Sequence, residues 1–401
     1  MELRSKNLCR IIYEFAPRVG GSVTHTIELS KHMAPHLNRQ LIITPSVPED
    51  TTKLDKTFPF EVYRVDCYRF KLLERIKNKH LPSLPIAPLL HISFGIRALI
   101  KVIQLNNKYG IDIIQAHGAG VGPAATLSNW ILRKPAVWML HGTCLAYSRL
   151  SGKYETLLTK LFKPQHVFVL DDGSPAPKKF KRILNKRVTV VKHAIDTEKF
   201  KPLPKPEILI KNMDLVEDTF TILSPHSLIP VKGLEHAIKA FEQLLIKLDN
   251  DKQVLVIAGS GPSEKPLKRY ARKLRITDYV KFVGHVPAPK MPKYYALSDV
   301  VLSTSLYSNT NRTTQEAMAC AKPVVAFNAG GTSQVVIDGK TGLLAEPGNN
   351  RSLARQMERL YKDVKLRQKL GNQARAFIKQ NRSWDERIEK ELGVYSKLIW
   401  H

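Results

Sequence analysis

Thr219-Phe220-Thr221-Ile222-Leu223 is a short run of apolar and β-branched residues, followed by a helical pattern over residues 234–248 and a second run, Gln253-Val254-Leu255-Val256-Ile257. Strand, longer helix and strand in this order predict a parallel sheet covered by helices. Downstream the rhythm continues through Val280-Lys281-Phe282-Val283, Val300-Val301-Leu302-Ser303 and Pro323-Val324-Val325-Ala326. Upstream it starts with Arg10-Ile11-Ile12-Tyr13, a helix over 23–33 and Gln40-Leu41-Ile42-Ile43. It then runs through Glu61-Val62-Tyr63-Arg64-Val65, a helix over 96–108 and Asp112-Ile113-Ile114-Gln115. Three further runs follow, at Ala136-Val137-Trp138-Met139-Leu140, His166-Val167-Phe168-Val169-Leu170 and Val188-Thr189-Val190-Val191. Between the two series lies Lys201-Pro202-Leu203-Pro204-Lys205-Pro206, where prolines remove backbone donors and favour extended chain. The pattern predicts two doubly wound α/β domains over 1–200 and 208–380, a linker at 201–207, and a closing helix over 381–401.

A chain of 401 residues is long enough for two hydrophobic cores. Its 43% hydrophobic and 24% charged residues argue against extensive disorder. Charge is the unusual quantity: 63 Lys+Arg against 35 Asp+Glu give +28, which attracts polyanions such as nucleic acid or an acidic membrane surface. The basic residues are dispersed through segments such as Lys178-Lys179-Phe180-Lys181-Arg182, and nucleic-acid recognition motifs are absent, so no specific nucleic-acid partner is expected. Cys9, Cys67, Cys144 and Cys320 have neither zinc-ligand nor disulfide-framework spacing, which fits a reducing cytoplasm. The N-terminal residues lack a signal-peptide pattern. Residues 81–100 are the most apolar long segment, but Pro82, Pro85, Pro88, His91 and Arg97 argue against a spanning helix. This segment reads either as an interfacial element on the inner face of a membrane or as structure packed on the protein's own core.

In open parallel sheets, ligands bind beyond the carboxyl ends of the strands, where helix N-termini offer free N–H groups. Several polar residues fall at such positions. Gly20-Gly21-Ser22 follows the first strand, as a phosphate-approaching loop or a plain tight turn. His117-Gly118 and His141-Gly142 each end an apolar strand, as a catalytic or a structural imidazole. Lys232-Gly233 suits a phosphate or is a surface lysine before a helix. Thr313-Thr314-Gln315-Glu316 is either a capping box or a carboxylate for ligand hydroxyls. Gly259-Ser260-Gly261-Pro262 lacks the third glycine of a dinucleotide fingerprint, and no Walker loop, metalloprotease helix or nucleophile elbow is present.

The ordered set of segments resembles the family-4 retaining glycosyltransferases over nearly the whole chain. The resemblance is carried by Gly20-Gly21 with Glu28-Leu29-Ser30, by Asp112-Ile113-Ile114-Gln115-Ala116-His117, and by His141-Gly142-Thr143. It continues through Val191-Lys192-His193-Ala194-Ile195-Asp196, Lys232-Gly233, Glu316-Ala317-Met318-Ala319, Gly330-Gly331 and Gly339-Lys340-Thr341-Gly342. The resemblance implies the GT-B fold, two Rossmann-like domains facing a central cleft. By the same resemblance Gly20, Gly21 and Lys232 face the donor diphosphate, Glu316 holds the nucleotide ribose, and His141 faces the transferred sugar.

Departures from the family pattern are as informative. Ser227 stands where the family has Arg, Ser308 replaces the first Glu of its Glu-x7-Glu motif, and Gln334 replaces a further Glu. The donor site is then expected to comprise Gly20, Gly21, Ser227, Lys232, Ser308, Asn309, Arg312 and Glu316, with His141, Lys232 and Glu316 as catalytic residues and Arg312 restoring the lost positive charge. The expected activity is hexosyl transfer, with retention, from a nucleotide-diphosphate sugar co-substrate to a glycan or lipid-linked acceptor at an anionic membrane surface. Neither a metal nor another cofactor is implied, since no Asp-x-Asp-like cluster appears. The alternative is a non-catalytic binding or partner subunit with the same fold.

Overall fold

The computed structural model describes residues 3–18, 21–67, 86–140, 149–171, 173–216, 218–248, 252–306 and 311–400. The chain forms two compact units: Met1–His193 with Trp384–His401, and Ala194–Ser383.

In the first unit, β1 (Asn7–Ile12), α1 (Gly21–Met33), β2 (Arg39–Pro45), α2 (Thr52–Asp55) and β3 (Glu61–Val65) are followed by α3 (Ile86–Tyr109), β4 (Ile113–His117) and α4 (Gly122–Leu132). Then come β5 (Ala136–Leu140), α5 (Arg149–Phe162), β6 (His166–Leu170), α6 (Ala176–Leu184) and β7 (Val188–Val191). The seven strands form one parallel sheet in the order β3-β2-β1-β4-β5-β6-β7. Every residue of β1, β4 and β5 is buried, which is why they read as continuous apolar runs rather than alternating ones. On one side, Cys9 and Ile11 of β1 join Phe94, Ala98, Val102 and Leu105 of α3, Ala124 of α4 and Phe180 of α6 in a single core. The α3 contribution repeats at helical spacing, so that helix lies flat along the sheet.

The opposite face carries a buried polar network. Arg10, fully enclosed in β1, donates from Nε to Gln115 Oε1 at 2.8 Å and from Nη1 to Ser30 Oγ at 2.7 Å and to Gln40 Oε1. The last helix, which belongs to this unit, completes the network. Its Arg387 and Glu391 pair at 2.6 Å while 2% and 0% exposed, and Tyr395 donates to Glu391 Oε2 at 2.9 Å. Each of these two buried charges offsets the other's desolvation, so the helix is held by chemistry as well as by apolar contact.

In the second unit, α7 (Glu207–Asn212), β8 (Phe220–Pro225), α8 (Leu234–Leu248), β9 (Gln253–Ala258), α9 (Glu264–Lys273) and β10 (Val280–Gly284) lead into α10 (Met291–Leu297) and β11 (Val300–Ser303). They are followed by α11 (Arg312–Ala319), β12 (Val324–Phe327), β13 (Gly342–Ala345), α12 (Asn350–Lys362) and α13 (Val364–Asn381), before α14 (Trp384–Trp400) returns the chain to the first unit. The six strands are parallel in the order β10-β9-β8-β11-β12-β13. α8 buries Leu234, Ala237, Ile238, Phe241 and Leu244 against them.

The division falls at His193/Ala194, several residues before the boundary at 200 read from the sequence. Ile195 and Phe200 are 2% and 1% exposed in the core of the second unit, with Phe200 edge-on to Tyr295, so burial draws this segment to that side. Residues 201–205 are exposed. Among the described residues, no helix is long and apolar enough to cross a membrane.

Candidate functional site

The carboxyl edge of the second sheet gathers most of the described candidate residues. β8 ends at Pro225, and the chain passes His226 and the exposed Ser227 before a 3-10 turn, Pro230–Lys232. Gly233 follows with φ 58°, and a Cβ there would lie 2.5 Å from the Thr304 carbonyl oxygen, so only glycine lets the turn approach the end of β11 this closely. Thr304 Oγ1 fixes the approach by donating to the Lys232 carbonyl at 2.9 Å. Burial holds the Lys232 ammonium below the usual lysine range, and no carboxylate pairs with it among the described residues. A desolvated, unpaired cation at a strand's carboxyl end is a ready partner for an anion.

Glu316, 7% exposed on α11, is held from two sides. Tyr295 donates its hydroxyl to Oε2 at 3.0 Å, and Arg312 Nε pairs with Oε1 at 2.8 Å, one helical turn away. Burial, and then the Glu316 charge, raises the Tyr295 phenol well above its ordinary value, so it remains a donor. The capping-box alternative for Thr313 and Glu316 is overturned. α11 starts at Arg312 with Asn311 as N-cap, which makes Thr313 an interior residue of the first turn and leaves Glu316 beyond capping reach. Arg312, expected to restore positive charge, commits its Nε to Glu316 in this state.

His226 is a further polar residue at this edge that sequence reasoning missed, although it directly follows a strand, much as His117 ends one. Burial, and then the nearby Lys232 charge, pushes its imidazole down to about 3, so it is neutral at ordinary pH. Asn311 links two strand ends: its Nδ2 lies 3.4 Å from His226 Nδ1 and 3.4 Å from Ser303 Oγ. Among the described residues, the buried hydroxyls of Ser224, Ser305 and Thr314 have no hydrogen-bond partner, an uncommon condition for enclosed polar groups. Tyr295 was missed too, because a buried tyrosine within α10 carries no sequence signal of the carboxylate it supports.

The Gly259-Ser260-Gly261 turn has a packing role. A Cβ on Gly259 would sit 1.9 Å from the His226 carbonyl oxygen and one on Gly261 2.4 Å from that of Leu228. Leu228 N–H donates to Ser260 O at 2.9 Å, so this turn braces the loop leading to Lys232.

In the first unit Gly21 opens α1, directly after β1 and its loop. His117, 6% exposed, lies 3.1 Å from Gln115 Oε1 and 3.4 Å from Thr26 Oγ1, so it is a structural hydrogen-bonder within the buried network. Gly20, His141, Cys144, Ser308 and Asn309 lie outside the described residues. A cavity of about 450 Å³ lined by residues such as Asn38, Gln40, Phe60 and Glu61 opens at the amino ends of β2 and β3, the edge opposite to these candidates.

The family model described as Glycosyltransferase Family 4 matches residues 19–199, and that described as Glycosyl transferases group 1 matches residues 207–377. An uncharacterized glycosyltransferase of Methanocaldococcus jannaschii is 24% identical, over 96% of this chain and 97% of its own. The alpha-monoglucosyldiacylglycerol synthase of Streptococcus pneumoniae is 26% identical, over 75% of this chain and 71% of its own. The solved structure of Anabaena HepE in complex with UDP covers 98% of this chain and 100% of that one, with a TM-score of 0.77 at 20% identity.

Proposed function

Because the chain belongs to the group 1, family-4 glycosyltransferases and has their GT-B fold of two parallel-sheet domains, we propose that it transfers a hexose from a nucleotide-diphosphate sugar to a glycan or lipid-linked acceptor. The observation that carries this reading is the presence, at one sheet edge, of a buried Lys232 that no carboxylate among the described residues pairs with and of a Glu316 carboxylate fixed by Tyr295 and Arg312. Lys232 meets the donor diphosphate as a charge-assisted hydrogen-bond donor, and Glu316 accepts hydrogen bonds from ribose hydroxyls. The Arg312 nitrogens other than Nε extend positive charge toward the phosphates, in place of the arginine that Ser227 replaces. His141 faces the transferred sugar, and Gly20 and Gly21 let backbone N–H groups approach the diphosphate.

Transfer proceeds with retention, the departing phosphate taking the acceptor proton as the new glycosidic bond forms. The name of the streptococcal relative supports a lipid acceptor, and the UDP complex of HepE supports a nucleoside diphosphate product. A surplus of 28 positive charges supports action at the inner, anionic face of a membrane. The test is release of nucleoside diphosphate from UDP- or GDP-sugars in the presence of total lipid extract, comparing the parent with Lys232→Ala. Turnover that Lys232→Ala abolishes supports transfer. Donor binding without turnover, across extracts and sugars, favours the second reading, a non-catalytic binding or partner subunit, which rests on Ser227 and Ser308 in place of the family's Arg and Glu.

A further inference from the structure

The outer surface of the first unit carries apolar side chains where a water-soluble helical layer ordinarily carries charge. α3 presents Ile92, Ile96 and Ile100 along one line, opposite the Phe94, Ala98 and Val102 that it buries. α4 packs against α3 and exposes Trp130 and Ile131, while α5 packs against α4 and exposes Leu157 and Leu161. These seven side chains are between 51% and 63% exposed, and they are nearly half of the fifteen exposed large hydrophobic residues among those described. Scattered apolar residues need no explanation, but a concentration on three adjoining helices does.

The charge on the same layer is one-sided. α3 and α4 contain no acidic residue, and the one carboxylate of α5, Glu155, is 6% exposed. Arg133, Lys153, Lys160 and Lys163 are exposed around the apolar residues. α6, whose Phe180 joins the same core, adds exposed Lys178, Lys181 and Arg182. None of these cations pairs with a carboxylate among the described residues, whereas exposed lysines elsewhere do, as in Lys268–Glu264 and Lys390–Glu386.

We propose that the α3–α4–α5 face, flanked by α6, docks on an anionic lipid bilayer, its isoleucines, leucines and Trp130 entering the headgroup boundary while the cations meet lipid phosphates. Aliphatic residues with an indole, rimmed by unpaired lysine and arginine, are the composition that such an interface selects. Charge disfavours a second copy as the occupant, because two such faces would oppose cation to cation. The inference localises membrane attachment and does not depend on sugar transfer.

The test is flotation of the full chain with vesicles of phosphatidylcholine alone or with phosphatidylglycerol. One variant combines Ile96→Ser, Trp130→Ser and Leu161→Ser; another combines Lys153→Glu, Lys160→Glu and Lys181→Glu. A control places an equal charge change on the second unit, Lys265→Glu, Lys290→Glu and Lys293→Glu, all at exposed positions. The parent is expected to float with anionic vesicles only. Each face variant is expected to lose at least about a hundredfold in partition, while the control loses less than about tenfold. Equal losses in the control and the charge variant would overturn the proposal, because net charge alone would then explain attachment. Absence of parent binding would also overturn it, as would a lipid-free dimer in sedimentation that the serine variant abolishes. Nucleoside-diphosphate binding by the same variants separates failure of this inference from failure of the transferase reading.

Discussion

Replacing Lys232 with methionine keeps most of the side-chain volume and removes the ammonium, so it separates the cost of that charge in the free protein from its value to a ligand. Burial lowers the folded-state pKa of Lys232 from 10.5, which means the unfolded chain binds the proton more readily. The charge therefore costs stability at neutral pH, and the cost disappears only above the unfolded value. Lys232→Met is accordingly expected to unfold at the same temperature as the parent or higher. Binding should move the other way. At about 3 Å and an effective dielectric of about 20, two unit charges attract by about 5.5 kcal/mol. After exchange with water, a hydrogen bond to a charged group retains about 1.5–3 kcal/mol. Because the ammonium is already largely buried, the upper half of that range applies, and nucleoside-diphosphate affinity should fall roughly 45- to 160-fold. Calorimetric titration with UDP and GDP, alongside thermal melts, reads both quantities. Unchanged affinity would refute the phosphate role, and a melt lowered in step with affinity would show that Lys232 is a structural residue.

Gly233→Ala places a Cβ 2.5 Å from the Thr304 carbonyl oxygen at φ 58°, and denaturant titration should show a loss of about 1–3 kcal/mol together with weakened nucleotide binding. Glu391→Gln leaves buried Arg387 without its counter-charge and should cost about 3–5 kcal/mol, whereas Arg387→Met with Glu391→Leu should recover most of it; a double-mutant cycle without coupling would contradict the pairing. His226 is pushed down to about 3 from 6.5, so the parent should lose stability as the pH falls below 6.5, by roughly 1.4 kcal/mol per pH unit at most. His226→Gln should flatten that acid limb in pH-dependent melts, and an unaltered limb would show that the imidazole is not held neutral.

Both sheets were legible because strands covered on two faces leave unbroken apolar runs, as in β5 and β9, and because the helices between them keep a clear apolar stripe, as in α8. The same rule hides polar cores. Arg10 sits inside a strand-like run, and nothing local announces that Gln115 encloses it or that Glu391, far along the chain, completes the network. Glu316 was legible as a functional candidate but not in its bonding, since one glutamate stands three residues from a capping threonine and four from a pairing arginine. Only the start of α11 decides between them. The domain boundary was displaced because prolines mark extended chain, whereas the division follows the burial of Ile195 and Phe200. The apolar outer stripe of α3 was legible only in outline: residues 81–100 stood out as either interfacial or core-packed, and periodicity alone does not report which isoleucines of the helix remain uncovered.

The most direct test of the transferase account is a thermal-shift titration with UDP, GDP, ADP and their common sugar conjugates, comparing the parent with Glu316→Ala. A ligand at about 100 times its dissociation constant adds about 2.7 kcal/mol, which for a unit of this size is a rise of roughly 5–10 °C. The account predicts such a rise for one nucleobase in the parent and its loss in Glu316→Ala. Equal shifts in both proteins, or none with any nucleotide, would contradict it.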